Sequence, residues 1–541
     1  MTQKGVRDFI YEMSFQLNLR FFLLYCMIVL NLLIMHYYIA LEIGLEDYPG
    51  CRVTSNIWAC VVDATVIYLI SYALTLGRVR TSLLLAFFLS LILSYSNILY
   101  ARFFGIYLPK NILSQVGNLY DKDVLLSVCS SMSLFDGLYL VLASFFCSLL
   151  FKWKNTVLQK KSFRTLLFSI CAVYSYFVIW LFLHIGNGKY YQNFKDGFYD
   201  LVPYAKWESA VKPNIYLFKM GFVRRFIYCF DDYTNKHTEL TPNQIDEITK
   251  YYSDHTQRVS NRQLLKSKNI IFILVESFLS ATSDLFVDGQ EITPFLNKLK
   301  TEKDVCYNAH VQSNISSGQS SDGQLIYMTG LLPIKSIITV DIAKRCHLKG
   351  LPKLMKEYGV IKEAHIIIPT TSTFWAQDEM CKVYGIDTIY SKADAKEGTD
   401  MFSDLNDEKI FSMASAVDCK ASHPFFSLIL TMTMHGPYNL KPASDFALTD
   451  NSIPEEYKNY LIKCHYSDEQ IERYIKSLKE SGVYDESVIV IASDHHINPK
   501  FLNMEGRLST DLPLFIINGD IDANNFWTGA CNQRSEEHTS E

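Results

Sequence analysis

The chain has 541 residues, of which 49% are hydrophobic and 14% aromatic, and its formal net charge at pH 7 is -5. A single compact core rarely grows past about 250–300 residues, so two or more units are required. The near balance of charge excludes a strongly basic nucleic-acid surface and a disordered acidic tail.

The apolar residues crowd toward the amino terminus, in five stretches near 21–41, 57–76, 81–101, 133–151 and 165–185. Each approaches the length of about 20 residues that crosses a bilayer, so residues 1–186 are predicted to form an α-helical membrane domain of five spans. A cleaved signal peptide has one short apolar region, which five successive segments exclude. Lys4, Arg7 and Arg20 precede the first span, Arg78 and Arg80 separate the second from the third, and Lys152, Lys154, Lys160, Lys161 and Arg164 separate the fourth from the fifth. Those loops are predicted to be cytoplasmic, which puts everything after residue 186 outside the cytoplasm. Asp63 and Asp136 fall inside or at the edge of spans, where an acid is either functional or buried against a polar neighbour.

Residues 187–268 are predicted to be a juxtamembrane helical linker. Within it "PNIYLFKMGFVRRFIYCF" reads equally as a helix on the membrane surface or a plain connecting helix, and "TELTPNQIDEITKYY" as a capped helix with Thr241 before Pro242. Cys229, Cys306, Cys346, Cys381, Cys419, Cys464 and Cys531 lie in the exported part without any CxxC spacing, so disulfides are allowed but their pairing is not deducible.

From residue 269 the pattern changes to short apolar runs, "NIIFILVES", "AHIIIP", "PFFSLILTM", "SVIVIAS" and "LPLFIING", with helical patterns between them. This predicts an α/β domain over 269–533 with a mostly parallel sheet. Sites in such sheets form beyond the carboxyl ends of the strands. Glu276 follows the first run, His435 the third, and Asp494, His495 and His496 the fourth. Singly, Glu276 could cap a helix and "SDHH" could be a polar turn. Jointly, Glu276, Asp494 and His495 suit one divalent cation with a hydroxyl as fourth ligand, and the mixed oxygen and nitrogen donors favour Mn²⁺ or Zn²⁺ over Ca²⁺.

The hydroxyl is sought in "SSGQSSDGQL", residues 316–325. Ser321 and Gln324 have the spacing of a capping box opening the helix "GQLIYMTGL". Ser320 would then sit just outside the first turn, facing free backbone N–H groups that favour a phosphate or an alkoxide. Ser320 is read as nucleophile and fourth metal ligand, Asp322 as a carboxylate favourable to the helix dipole, and Gly318 and Gly323 as small residues that let substrate approach. The bland alternative is a Ser/Gly-rich loop that only caps a helix.

The ordered set "NILYARFFGIYLP", "NIIFILVES", "GQSSDGQ" and "ASDHH", after five apolar segments, resembles the lipoteichoic acid synthase and phosphoglycerol transferase family of the alkaline phosphatase and sulfatase superfamily. The resemblance implies a sulfatase-like, metal-dependent transferase in a bacterial cytoplasmic membrane, with its catalytic domain outside. Its donor would be phosphatidylglycerol or phosphatidylethanolamine and its acceptor an extracytoplasmic glycan or lipid, with Mn²⁺ or Zn²⁺ in preference to Mg²⁺. It also implies that Glu276, Asp494 and His495 are the metal ligands and Ser320 the nucleophile, a threonine in the lipoteichoic acid enzymes. His435 and Trp375 match residues at the substrate head group. Gln377, placed with them among the substrate-binding residues, stands where those enzymes carry arginine, and Ile368-Pro369 stands where they carry His-Gly. A phosphoethanolamine transferase or a sulfatase-like phosphodiesterase remains the enzyme alternative, and a membrane sensor or assembly factor with a decayed site the non-enzyme one. "RSEEHTSE", residues 534–541, reads as a translated sequencing adapter, and the catalytic domain as truncated before a final helix.

Overall fold

A computed structural model describes residues 24–40, 53–104, 106–109, scattered positions between 112 and 250, and then 268–334, 337–394, 406–436, 438–439, 441–521 and 526–533. The chain divides into two compact units, residues 1–108 with 131–255, and residues 109–130 with 256–541.

In the first unit, α1 (Leu24–Ala40), α2 (Val53–Leu74) and α3 (Val79–Phe104) coincide with the first three expected spans. Helices α2 and α3 contain segments long and apolar enough to cross a membrane, Asn56–Leu74 and Thr81–Arg102, whereas α1 is shorter. The fourth and fifth expected spans lie almost wholly outside the described residues. A polar group in such dry packing must find a partner inside the protein. Asn31 donates to the Ser90 hydroxyl at 3.1 Å, and His36 Nδ1 meets the Tyr107 hydroxyl at 2.7 Å. Arg102 donates to both carboxylate oxygens of Asp136 at 3.0 Å and through Nε to the Tyr38 hydroxyl at 2.9 Å. Asp63 accepts the Phe222 N–H at 2.8 Å, beside a glycine, Gly221, whose φ of 77° few other residues adopt. Asp63 and Asp136 are therefore both engaged by neighbours in their own unit. Of "PNIYLFKMGFVRRFIYCF" only Gly221 and Phe222 are described, and both are helical; the described residues between 242 and 250 are helical too, with Ile245 N–H donating to Thr241 O.

The second unit is built on an eight-stranded sheet. Its strands are β1 (Asn269–Val275), β4 (Val305–Gln312), β5 (Glu363–Ile367), β6 (Thr388–Tyr390), β7 (Phe425–Leu430), β8 (Ser487–Ser493), β9 (Leu512–Ile517) and β10 (Cys531–Asn532), in the order β10-β4-β9-β8-β1-β7-β5-β6. A two-residue pair, β2 (Phe286–Val287) and β3 (Gln290–Glu291), stands apart. Strands β6, β5, β7, β1 and β8 run parallel, and β9 is antiparallel to both β8 and β4. The expected mostly parallel α/β sheet is what forms.

All seven residues of β1 are buried. Their period of two sends Ile271, Ile273 and Val275 into one apolar cluster and Ile270, Phe272 and Leu274 into the other. Each such side chain contributes about 1.5–3 kcal/mol when fully buried. The first cluster is closed by α4 (Pro294–Leu299), α7 (Asp407–Asp418) and α8 (Glu455–Ser481), and the second by α5 (Ser320–Thr329) and α6 (Gln377–Tyr384). A buried polar knot ties four of these elements together: Asp418 lies 2.6 Å from His365 Nε2 and accepts from Ser427 at 3.2 Å and from the Tyr474 hydroxyl. Cys346, Cys381, Cys419 and Cys464 are free thiols, and Cys229 lies outside the described residues.

Candidate active site

Because β1, β7 and β8 are parallel neighbours, the residues that follow them emerge along one edge of the sheet. Glu276, Asp494 and His495 meet there, each offering a ligand atom within 4.8 Å of the others. His495 Nε2 lies 3.4 Å from Glu276 Oε1 and 3.5 Å from Asp494 Oδ2. All three are buried. His495 Nδ1 is 2.9 Å from His496 O and donates its proton there, which leaves Nε2 as the ring nitrogen that faces the carboxylates.

Two converging buried carboxylates are costly to keep charged. Burial opposes the charge on Glu276, but His495 and His435 hold its carboxyl well below the usual range. Burial and the neighbouring Glu276 charge push Asp494 up to about 7. Burial opposes the charged form of His495, yet Asp494 and Glu276 raise it to about 10. The cluster thus gathers a proton when nothing else supplies positive charge. A donor set of two carboxylates, one imidazole nitrogen and a hydroxyl fits a single divalent cation, which would take that role.

The hydroxyl is Ser320. Its Oγ donates to Glu276 Oε2 at 3.1 Å and lies 3.2 Å from His495 Nε2. The local reading of its turn needs correcting. Helix α5 begins at Ser320 itself, and Gln319 is the N-cap, at φ 46° and ψ -119°, without a side-chain cap. Ser321 caps nothing: its Oγ donates to Gly318 O at 2.7 Å, and the Gln324 side chain bonds elsewhere. Asp322 does more than complement the dipole, since its Oδ2 accepts the N–H groups of Ser316 at 2.8 Å and Gly318 at 2.9 Å and folds the loop back onto the helix. Burial raises the Asp322 carboxyl to about 6. The expected free N–H groups are occupied, because Ser321 N–H donates to Gly318 O and those of Asp322 and Gly323 to Gln319 O. Gly318 and Gly323 serve packing: a Cβ on the first would overlap the Asp322 carboxylate, and on the second the main-chain oxygen of Asp494.

His435 is half-buried, with Nδ1 2.7 Å from Gly436 O, close enough for its charge to act on Glu276. Trp375 is partly buried and, with Ala376, adopts left-handed backbone, φ 50° and 53°. Gln377 is 5% exposed and its amide faces protein: Nε2 donates to Gln324 Oε1 at 2.7 Å, and Oε1 accepts from Gln324 Nε2 at 3.1 Å. Ile368 is wholly buried.

Three residues at the site were not foreseen. Ser277, at φ 50°, donates its N–H to Asp494 Oδ1 at 2.9 Å and its hydroxyl to Glu276 Oε1 at 2.9 Å, orienting both acids. Lys463, 2% exposed, donates to the main-chain oxygen of His435 at 3.0 Å. Gln324 is the third. A cation on the buried stripe of α8 and a serine adjoining Glu276 were the available signals.

A mostly parallel sheet thus brings two carboxylates, a histidine and a serine hydroxyl together beyond its strand ends. The family model described as Sulfatase matches residues 268–519, and the second unit is a sulfatase-family domain. Lipoteichoic acid synthase from Staphylococcus aureus is 26% identical over 415 residues, which cover 76% of this chain. The match spans 62% of that protein's length. The solved lipoteichoic acid synthase from Listeria monocytogenes is 22% identical, with a TM-score of 0.44 over 53% of this chain and 75% of that one. The integral membrane lipooligosaccharide phosphoethanolamine transferase A from Neisseria meningitidis matches in fold over 94% of this chain and 93% of its own, with a TM-score of 0.59 and 14% identity.

Proposed function

We propose that the protein is a membrane-bound phosphotransferase that moves a phosphoglycerol-type head group from a phospholipid, through a phospho-Ser320 intermediate, to a glycan or lipid acceptor outside the cytoplasm. The observation that carries this reading is the position of Ser320 Oγ, at the start of a helix and within 3.2 Å of both Glu276 and His495. Its relation to named lipoteichoic acid synthases supports the reaction class. Residues 1–186 would supply five spans in a bacterial cytoplasmic membrane and hold the site near its lipid donor.

Glu276, Asp494, His495 and Ser320 would hold one Mn²⁺ or Zn²⁺. When bound, the cation neutralises phosphoryl charge and lowers the pKa of the serine hydroxyl. Ser320 Oγ, its proton released to solvent beforehand, bonds to the lipid phosphorus as the bond to the diacylglycerol oxygen breaks. The diacylglycerol oxygen takes up a proton on departure. His435 is the donor in this scheme, with Nδ1 turned to Gly436 O and Nε2 left for proton exchange. An acceptor hydroxyl then displaces the phosphoryl group and restores the serine. Ser277 and the Asp322 clamp orient these groups without touching substrate.

The test is intact mass of the full chain in detergent with Mn²⁺ and either phosphatidylglycerol or phosphatidylethanolamine. One glycerophosphoryl adduct is expected from phosphatidylglycerol, and none in Ser320→Ala, which should still bind Mn²⁺ through its three remaining ligands. A phosphoethanolamine adduct instead would move the donor to phosphatidylethanolamine. Absence of any adduct in a chain that binds metal would sink both transferase readings.

A further inference from the structure

Helices α5 and α6 both begin after a backbone turn that ordinary residues avoid. Gln319, at φ 46° and ψ -119°, precedes Ser320, and Trp375 and Ala376, at φ 50° and 53°, precede Gln377. Conformations of this kind persist only where surrounding contacts hold them. Among the described residues, the side-chain hydrogen bonds between the two helices are the reciprocal pair joining Gln324 and Gln377, at 2.7 and 3.1 Å. Gln324 is one turn along from Ser320, and Gln377 is the first residue of α6. The two side chains are 2% and 5% exposed. An amide offered to substrate would keep a donor or acceptor toward open space, and these two are turned on each other.

We propose that Gln324 and Gln377 form an amide clasp that fixes the Trp375–Ala376 elbow relative to the Ser320 turn, so that Gln377 is a positioning residue and not a substrate contact. The proposal rests on the transferase reading for its catalytic consequence, but the clasp itself does not depend on it. The clasp acts through two helix starts at once. Loss of either amide leaves the other buried without its partner, so the elbow is released whichever side is cut. A direct substrate contact at Gln377 would behave differently, because Gln324 would then matter little.

The experiment is a double-mutant cycle on the full chain in detergent with Mn²⁺, using Gln324→Ala, Gln377→Ala and the double variant. Hydrogen exchange of the peptide spanning residues 371–378 is read first. Faster exchange in Gln324→Ala, matching that in Gln377→Ala, is expected, although residue 324 lies outside that peptide. Turnover of phosphatidylglycerol is read second: each single variant should lose on the order of 10- to 100-fold in kcat/KM, mainly through KM, and the double variant no more than either. Unchanged exchange in Gln324→Ala would overturn the clasp. A loss confined to Gln377→Ala, or losses that multiply in the double variant, would make Gln377 a substrate contact instead. Should the alanine variants fail to fold, Gln324→Glu keeps the shape and removes the donor, and the same exchange readout decides. A wild-type chain that turns over neither phosphatidylglycerol nor phosphatidylethanolamine would defeat the transferase reading, while the exchange result would still decide the clasp.

Discussion

Gly323 lies in the first turn of α5, facing the main chain of Asp494. Any Cβ there overlaps a backbone oxygen, which cannot rotate aside as a side chain could, so either the helix or the ligand-bearing segment must move. Gly323→Ala is expected to cost about 1–3 kcal/mol of stability as an overpacking change. Its larger effect should be loss of Mn²⁺ affinity, since the displaced oxygen belongs to a proposed ligand residue. Isothermal titration with Mn²⁺ checks this against Gly330→Ala, whose Cβ meets nothing within 4 Å, although its φ of 68° carries a strain cost. Unaltered Mn²⁺ affinity in Gly323→Ala would refute the packing argument. The sequence marked Gly323 as special but for the wrong neighbour. Glu276, Asp494, His495 and Ser320 were legible because each follows an apolar run or opens a helical one. Ser277, Gln324 and Lys463 were not, because their partners Asp494, Gln377 and His435 lie 217, 53 and 28 residues away.

Helix α4 is capped from outside. Thr293, its N-cap, makes no side-chain capping bond, its hydroxyl donating to Thr282 O at 3.2 Å, and the first-turn N–H groups of Phe295 and Leu296 donate instead to Asp468 on α8, at 2.8 and 2.9 Å. Burial raises the Asp468 carboxyl from 3.8 to about 7, against the pull of those two donors. A carboxyl whose folded pKa is raised holds its proton more tightly folded than unfolded. Its stabilising contribution is complete below about 3.8 and is lost as pH rises toward 7. Asp468→Asn keeps an acceptor for the cap and has no proton to lose. The stability difference between wild type and variant should therefore shift toward the variant by on the order of 2–4 kcal/mol between pH 4 and 8, read by denaturant unfolding of the metal-free chain. A difference that stays flat with pH would show that Asp468 does not titrate in this range. Such external caps escape a reading of sequence, because the acid lies 173 residues from the N–H it accepts. Strands show the same limit. The runs forming β1, β5, β7, β8 and β9 are apolar and were evident, whereas β4 reads "VCYNAHVQ", with polar residues throughout, and β6 and β10 are only three and two residues long. Their place is set by pairing at the two ends of the sheet, β10 and β4 at one and β6 at the other, which local pattern does not encode.

At the scale of the whole molecule, the second unit gathers two buried acids at the end of its most completely buried strands and so works against its own stability. Without a cation, Glu276 and Asp494 repel each other, and the pair is relieved only by taking up a proton, with His495 charged beside them. A bound cation would be attracted by both carboxylates at once. Stability and metal affinity should therefore change in opposite directions when one acid is neutralised. At pH 8 and in chelator, Asp494→Asn is expected to unfold at higher denaturant than wild type, by about 1–4 kcal/mol, as when a costly buried charge is replaced by a neutral group. Addition of Mn²⁺ should reverse the order. Wild type gains about 2.7 kcal/mol at a concentration 100 times its dissociation constant, and the variant, with one ligand weakened, gains less. If the metal-free variant is instead less stable than metal-free wild type, the two hydrogen bonds that Asp494 accepts from Ser277 N–H and His495 N–H, at 2.9 and 2.7 Å, outweigh the repulsion. The cluster would then be a structural cap first, and its charge no measure of a metal's presence.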